Sequence, residues 1–413
     1  MHQTHPRRLL LQAFLCLLTA TASAQEAAVS NWSFSGYGTL GYVRDSRADL
    51  GFTRDIGQEP GSRHGGSFAP DSRLGLQAAY RFNPQTEAVV QWVLRDKPDR
   101  TLANSVEWAY LAYRPTPDWQ LRAGRVGIDV FMLSDYRSLG YAQTTVRPNV
   151  DFYGFMPIVA LDGADLAYSF EGGGARWQIK TQFGQSSAAV PEVNYHFTAR
   201  NFRDVTLTSE IGAWRLKAGY AQMQVADDIP MGALTPGLAG VSALGLARIS
   251  AEAAQLRNEL LFKGARVTYA AMGASYDDGV WLLQGELARL SSSRDVSVQG
   301  DAAYVLAGRR FGTWLPYAGL SGFSPAKGIA RTQTNWGAMT PLQSQALLAL
   351  NSSRIDQRTT TLGVRWDFHS QAALKLQWDR VRINDYGYAL WTHGMFNTVR
   401  RAQIVSATVD WMF

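Results

Sequence analysis

Residues 402–413 read Ala402-Gln403-Ile404-Val405-Ser406-Ala407-Thr408-Val409-Asp410-Trp411-Met412-Phe413. Val405, Ala407, Val409, Trp411 and Phe413 fall on one face, and Ile404, Ser406, Thr408, Asp410 and Met412 on the other. Period-two alternation of this kind describes a strand with one oily and one mostly polar side. A strand that ends flush at a free carboxylate on an aromatic residue is expected to close a cylinder against the first strand of the chain.

The same reading, carried upstream, gives an up-and-down series of hairpins. The early strands are Ser33–Val43, Ser72–Phe82, Thr86–Arg95, Ser105–Arg114, Trp119–Val126, Val159–Phe170, Ala175–Gly184 and Phe202–Ile211. The series continues as Ala213–Met223, Lys263–Tyr276, Val280–Leu290, Gln299–Arg310, Thr313–Ser321, Gln357–Phe368, Ala372–Arg382 and Ala402–Phe413, sixteen in all. Connections alternate between two classes. Tight turns such as Asn83-Pro84-Gln85, Gly172-Gly173-Gly174 and Asp277-Asp278-Gly279 mark one end. Long segments, among them Arg44–Asp71, Gly127–Ile158, Gln224–Phe262, Gly322–Asp356 and Ile383–Arg401, mark the other. A soluble sandwich has no reason to sort loop length by parity, whereas an outer-membrane barrel has short periplasmic turns and long outer loops. Tyr80, Phe82, Trp119, Tyr168, Trp177, Trp214, Trp281, Trp314, Trp366 and Trp411 lie close to the tight turns or to the last residue, as an interfacial aromatic ring requires.

Composition agrees. Aromatic residues make up 12% of the chain and glycines number 38, yet no long uncharged apolar run follows the first residues. Membrane proteins without hydrophobic helices are closed β-barrels. At the start, Arg7 and Arg8 precede an apolar run from Leu9 to Leu18, and Ala22-Ser23-Ala24 offers a small-residue cleavage pattern. These features predict a cleaved signal peptide over residues 1–24, a barrel over 25–413 and passage through the periplasm. The only cysteine, Cys16, lies inside that leader, so no disulfide framework is expected. A net charge of +6, diffusely spread, is no nucleic-acid footprint.

Alternation also assigns an inner wall. Arg73, Arg95, Arg122, Lys180, Arg365 and Lys375 are expected to face inward, against Glu87, Asp367 and Asp379. A lumen lined with such groups holds water, and a barrel of about sixteen strands is wide enough for an aqueous channel. The segment Gly127–Ile158 carries Asp129, Asp135, Asp151, Arg137 and Arg147 among Phe131, Tyr136, Tyr141, Phe152 and Tyr153. Folded inward, it sets pore size and local field, because rings of charged side chains supply ionic selectivity. The plainer alternative is an outer loop or trimer strap. Ala243–Leu261 and Leu342–Leu350 have helical spacing and are expected to form a lid, a plug or a loop resting on the rim.

The chain resembles the sixteen-stranded porin superfamily of Gram-negative outer membranes. Locally, Phe34-Ser35-Gly36-Tyr37-Gly38-Thr39-Leu40-Gly41, Arg122-Ala123-Gly124-Arg125, Ser134-Asp135-Tyr136-Arg137-Ser138-Leu139-Gly140-Tyr141 and Arg147-Pro148 are similar to a proteobacterial porin-like family. The resemblance implies an all-β transmembrane antiparallel up-and-down barrel with an inward third loop. It also implies a homotrimer, contact with outer-membrane lipid and lipopolysaccharide, and passive diffusion of small hydrophilic solutes or ions. Trp411 and Phe413 would be the signal read by the barrel-assembly machinery. The acids Asp129, Asp135 and Asp151 would face the basic wall residues Arg73, Arg95 and Arg122. Arg137 and Arg147 in the loop itself depart from that pattern, and the net excess of wall cations points to weak anion selectivity.

No catalytic constellation accompanies these features. His64, His196, His369 and His393 lack metal-ligand spacing, and no nucleophile elbow, phosphate loop or cofactor motif is present. Asp227-Asp228 and Asp277-Asp278 are paired carboxylates that read equally as solvated acids or loose calcium sites. The expectation is a non-enzymatic channel without cofactor or metal. The competing class is a surface-recognition barrel or outer-membrane enzyme with a loop-blocked lumen.

Overall fold

The computed structural model describes residues 30–58, 65–97, 101, 103–191, 194–392 and 397–413. The leader expected over residues 1–24 lies outside these residues, as do His64 and His393.

Sixteen strands form one closed antiparallel barrel. They are β1 (Trp32–Asp45), β2 (Arg73–Asn83), β3 (Thr86–Arg95), β4 (Val106–Tyr113), β5 (Trp119–Gly127), β6 (Ala160–Gly172), β7 (Ala175–Val190) and β8 (Tyr195–Ile211). The circle continues through β9 (Trp214–Val225), β10 (Arg266–Asp277), β11 (Trp281–Ser292), β12 (Gly300–Arg309), β13 (Trp314–Pro325), β14 (Ile355–His369), β15 (Ala372–Tyr388) and β16 (Arg400–Met412). Each strand pairs with its sequence neighbours, and β16 closes on β1 from Tyr37 opposite Met412 to Asp45 opposite Ile404. Closure leaves the sheet no edge, so every backbone group inside the membrane finds a partner.

The barrel is inverted relative to a soluble protein. Leu76, Leu111, Leu121, Ile179, Val205, Leu216, Leu287, Leu320, Leu362, Leu376 and Val405 are exposed on its outside. Their sequence neighbours Lys180, Asp204, Lys217, Glu286, Thr361, Lys375, Gln377 and Ser406 are buried inside. An apolar exterior around a polar interior is the arrangement a hydrocarbon solvent selects. No described helix is long and apolar enough to cross a membrane.

Tight turns share one end. Asn83 Oδ1 accepts the N–H groups of Gln85 and Thr86, and Asp278 Oδ1 those of Val280 and Trp281. The second turn also needs the left-handed backbone of Gly279, at φ +85°. Aromatic pairs ring this end, including Trp314 stacked on Trp366 at 5.0 Å, Trp214 against Tyr276 at 4.9 Å and Trp119 against Tyr168 at 4.5 Å.

At the other end the long loops carry helices. The sequence predicts one helix over Ala243–Leu261; the structure has two, α2 (Leu234–Ala243) and α3 (Ala247–Leu260), because Gly245 turns left-handed at φ +70°. The Leu342–Leu350 segment lies within α4 (Thr340–Asn351). Glu252 of α3 accepts from Trp336 Nε1 and from the Gln333 and Thr334 amides, which fixes the α4 loop against α3. The β7–β8 hairpin is longer than expected, since β8 begins at Tyr195 rather than Phe202. Asn201, at φ +51° beside a register shift, breaks the alternation, and Tyr195, Phe197 and Ala199 resume it above the break.

Candidate pore constriction

The segment between β5 and β6 is built from two short 3₁₀ turns and a single helical turn, α1 (Val150–Tyr153), capped by Asn149 Oδ1 on the Phe152 amide. Its aromatic side packs on one wall. Phe131 meets Tyr269 of β10 at 5.0 Å, Phe152 meets Tyr304 of β12 at 5.3 Å, and Phe155 meets Phe323 of β13 at 5.4 Å. Strand β13 stands half-way round the closed circle from β5, where the segment begins. Contacts to both therefore require the segment to lie across the enclosed space.

Polar groups stitch it down on the same side. Glu286 of β11 accepts from the Met132 amide at 3.0 Å and from the hydroxyls of Tyr153 and Tyr304. Asp151 accepts from Ser321, Gln357 and Thr359 and has no ion pair among the described residues; burial pushes its carboxyl up. Asp129 is held by Lys180 at 3.0 Å and by Lys217; burial pushes it up, and these two ammonium groups more than reverse that. Arg147 grips Asp71 through two hydrogen bonds of 2.8 and 2.5 Å, donates to Ser406, and lies 3.6 Å from Asp379. Lys375 donates to the Gly140 and Thr145 carbonyls and pairs with Asp410. Residue 140 must be glycine: a Cβ there would sit 2.1 Å from Asp410 Oδ1 and 2.4 Å from Thr39 Oγ1.

Several residues expected to offer charge to the lumen are thus engaged in pairs. Arg122 is bidentate to Asp165, Lys180 is taken by Asp129, Arg365 by Asp367 and two loop carbonyls, and Lys375 by Asp410. Among the five charged loop residues, only Asp135 is exposed. Trp411 and Phe413 lie on the outer face of the closing seam, their rings over Gly38 and Gly36 of β1.

The opposite side of the segment is different. A cavity of ≈ 360 Å³ at the short-turn end is lined by Tyr37, Gln77, Gln91, Glu107, Arg137 and Ser138 among others. A second, of ≈ 210 Å³ towards the long loops, is lined by Arg54, Asp55, Arg95, Lys97, Arg125 and Asp162 among others. Glu107 and Val159 line both. Glu107 accepts from Ser138 Oγ at 3.0 Å and lies 3.4 Å from Arg95 and 3.8 Å from Lys97. Asp55 lies 3.1 Å from Arg54 and 3.8 Å from Arg95. Burial raises the Asp55 carboxyl, but Arg54, Arg95 and Arg137 overcome that and hold it at about 2. Burial and the neighbouring Arg95 depress Lys97 to about 8. Burial likewise lowers Arg137 to about 10, and its guanidinium donates to the Tyr153 and Met156 carbonyls. Arg73 is buried nearby, and its Nε and Nη2 have no hydrogen-bond partner among the described residues.

The sequence reading missed Arg54, Asp55, Lys97 and Glu107. The first two sit in a long loop without period, and Lys97 just beyond the end of β3. Glu107 is a clearer case. The β3–β4 register slips between Gln91 opposite Trp108 and Trp92 opposite Val106, so Glu107 is the extra residue of a bulge. Bulges re-aim side chains, and this one turns inward a carboxylate that strict alternation sends to the lipid.

Among the described residues no group of three or more His, Cys, Asp and Glu is placed to hold a metal. Asp277 is bidentate to Arg310, and Asp228 accepts the Phe262 and Lys263 amides.

No family model and no curated protein matches the sequence. Solved structures do match its shape. The OmpF–daunomycin complex of Salmonella typhi superposes with a TM-score of 0.52 at 14% identity, covering 92% of this chain and 97% of that one. The chain has the porin fold. An anion-selective porin from Comamonas acidovorans gives 0.51 at 14% identity, with 92% and 99% covered. The outer-membrane channel DcaP of Acinetobacter baumannii gives 0.52 at 9% identity, with 95% and 100% covered. At these identities the porin fold is what the likeness establishes.

Proposed function

We propose that this barrel is an outer-membrane channel for passive diffusion of small hydrophilic solutes, with its passage along the β1–β6 wall past Glu107, Arg95 and Arg137. The observation that carries the reading is the pair of charged cavities on the two sides of the crossing segment that meet at Glu107. Elsewhere the segment is bonded to the wall by aromatic contacts and ion pairs, although a polar cavity of ≈ 370 Å³ lined by Tyr141, Asp277, Arg310 and Arg365 among others lies there too. A cleaved leader over residues 1–24, passage through the periplasm, homotrimeric assembly and recognition of Trp411 and Phe413 by the assembly machinery belong to the same reading.

The charge preference follows from what remains unneutralised. Arg54, Arg95, Lys97, Arg125 and Arg137 line the two cavities against Asp55, Asp96, Glu107, Asp135 and Asp162, an even count, and Arg73, buried close by with two guanidinium nitrogens unbonded among the described residues, tips the balance to positive. Excess positive charge in a narrow low-dielectric channel raises the local anion concentration. A weak anion preference is therefore expected, fading as salt shortens the Debye length; the Comamonas relative, described as anion-selective, is consistent with it. Purified protein in a planar bilayer tests both parts. Stepwise currents with a reversal potential favouring chloride are expected. Folded, heat-modifiable protein that leaves the bilayer silent would turn the reading to a loop-blocked barrel, and cation preference would overturn the charge argument.

A further inference from the structure

The bulge in β4 sends two consecutive side chains into the barrel. Glu107 is its extra residue, and Trp108, next along the chain, stands opposite Gln91 on the inner face. Gln91 is buried and donates through Nε2 to Gln77 Oε1 at 3.1 Å. Strict alternation turns one of any two neighbours to lipid, whereas the bulge gives the lumen a carboxylate and an indole side by side. Gly127 makes room for the indole, since a Cβ there would lie 3.0 Å from Trp108 Nε1. Trp108 is half-buried, and its Nε1 has no hydrogen bond among the described residues.

Glu107 and Trp108 line the ≈ 360 Å³ cavity together with Gln77 and Gln91. Through Glu107 that cavity meets the ≈ 210 Å³ one, which Arg95 lines. At the junction each cation has an acid beside it, yet hydrogen-bonding capacity is left over. Arg95 lies 3.4 Å from Glu107 and 3.8 Å from Asp55, and Lys97 lies 3.8 Å from Glu107. These separations suit ion pairs but exceed the usual hydrogen-bond length. Arg95 Nε and Glu107 Oε1 have no hydrogen bond among the described residues, although both side chains are nine-tenths or more buried. A buried donor and a buried acceptor, adjacent and both unsatisfied, are costly until something fills them.

The unspent groups define the chemistry of the missing partner. An anion satisfies Arg95 and is repelled by Glu107; a cation does the reverse. A hydroxyl both donates and accepts, so two neighbouring hydroxyls can take up Arg95 Nε and Glu107 Oε1 together. The Gln77 amide nitrogen and the Gln91 amide oxygen, unused in their mutual bond, repeat that donor–acceptor pairing. Trp108 adds an apolar face with an N–H at its edge. A ring with hydroxyls at its rim and C–H groups on its face matches all three. The larger cavity also falls within the ~300–1,000 Å³ of small-molecule sites.

We propose that Trp108, Glu107 and Arg95, with Gln77 and Gln91, form a saturable subsite for a neutral polyhydroxylated ring of monosaccharide size. The C–H face of the ring lies on the Trp108 indole, and two adjacent hydroxyls bridge Arg95 and Glu107. Because the ligand is uncharged, its binding does not fade with salt as an anion's does. The inference deepens the channel reading and rests on it for the solute's route, but not for its binding.

Saturation-transfer NMR on the folded, detergent-solubilised barrel, with D-glucose as the probe, measures binding without conduction, and vesicle swelling measures passage. Wild type should saturate in the millimolar range, equally at low and high salt. It should bind glucose about tenfold better than glucuronate or glucosamine, whose added charge meets a like charge at the junction. Trp108→Ala should weaken glucose binding about tenfold and Trp108→Phe far less, while Trp281→Phe on the outer surface should leave it unchanged. Glu107→Gln should weaken it about fivefold. Should Trp108→Ala not fold, Glu107→Gln is read instead, and unchanged affinity there overturns the proposal. A glucose signal that rises without saturating, or glucuronate binding that is tighter and abolished by salt, also overturns it. A barrel that conducts and swells vesicles without saturable glucose binding sinks this inference alone. One that binds glucose through Trp108 but leaves the bilayer silent and the vesicles unswollen sinks the passage and keeps the subsite.

Discussion

Replacing Arg147 with methionine should cost the barrel about 3–5 kcal/mol, the range for breaking one side of a buried ion pair. Both Arg147 and Asp71 are 1% exposed, so no water compensates either charge. The substitution strands the Asp71 carboxylate, removes the cation 3.6 Å from Asp379, and leaves the Ser406 hydroxyl without its donor partner. It also removes the guanidinium lying 4.9 Å over the Phe52 ring, whose strand pairs with Trp391 in the last long loop. The crossing segment thus loses its tie to β15, β16 and the outer loops together.

Equilibrium urea unfolding in lipid vesicles measures the cost, and a double-mutant cycle with Asp71→Asn identifies its source. If the cost is a stranded charge, the double variant is less destabilised than the sum of the singles, with a coupling of about 1–3 kcal/mol. Acid should shrink it too. Burial raises the Asp71 carboxyl, but Arg147 holds it below the ordinary value. A carboxylate with a depressed folded pKa contributes stability that is full above ~4 and is lost as pH falls through the folded value. In bilayers, Arg147→Met channels should show noisier open-state current, because the segment is free to move. A cost below ~1 kcal/mol, or simple additivity with Asp71→Asn, would refute the view that this pair anchors the constriction.

Three further outcomes follow from the same geometry. Lys97 titrates near 8, so deprotonation between pH 7 and 9 removes a positive charge and anion preference should fall; Lys97→Met should give the lower preference throughout, and a pH-independent wild type would count against Lys97 facing the passage. Gly36→Val places its Cβ 2.4 Å from the Phe413 ring, so it should destabilise closure by about 1–3 kcal/mol and slow insertion, with relief from Phe413→Ala; deletion of Phe413 should impair insertion while export continues, and normal membrane levels of the truncated protein would contradict that. Glu286→Leu leaves the Met132 amide and two tyrosine hydroxyls unpaired, at about 1–3 kcal/mol each if they stay buried, whereas Glu286→Gln should cost far less by urea unfolding.

The barrel was legible because its information is local. Alternation over ten residues reports which face meets lipid, and turn chemistry such as Asn83-Pro84 or Asp278-Gly279 reports where a strand reverses. All sixteen strands were found on that basis. What was lost were places where one residue breaks the period. Asn201 hid the upper half of β8, and Gly245 divided a helix. The bulge at Glu107 reversed the face of the one acid that lines both cavities.

The candidate site was legible only as an inventory. Alternation puts Arg122, Lys180 and Lys375 inside the barrel, and the charged loop residues are plain in the sequence. Whether such a cation meets solute or an acid depends on partners far away in the chain: Lys180 lies 51 residues from Asp129, and Arg147 lies 259 from Ser406. No local period encodes those meetings. The consequence is a division of labour. Neutralised pairs hold the segment on the β7–β16 side, and the wall that alternation read least well, β1 to β6, keeps cations in excess. Inside the barrel, an arginine that finds an acid becomes structure, and one that does not is left to act on the solute.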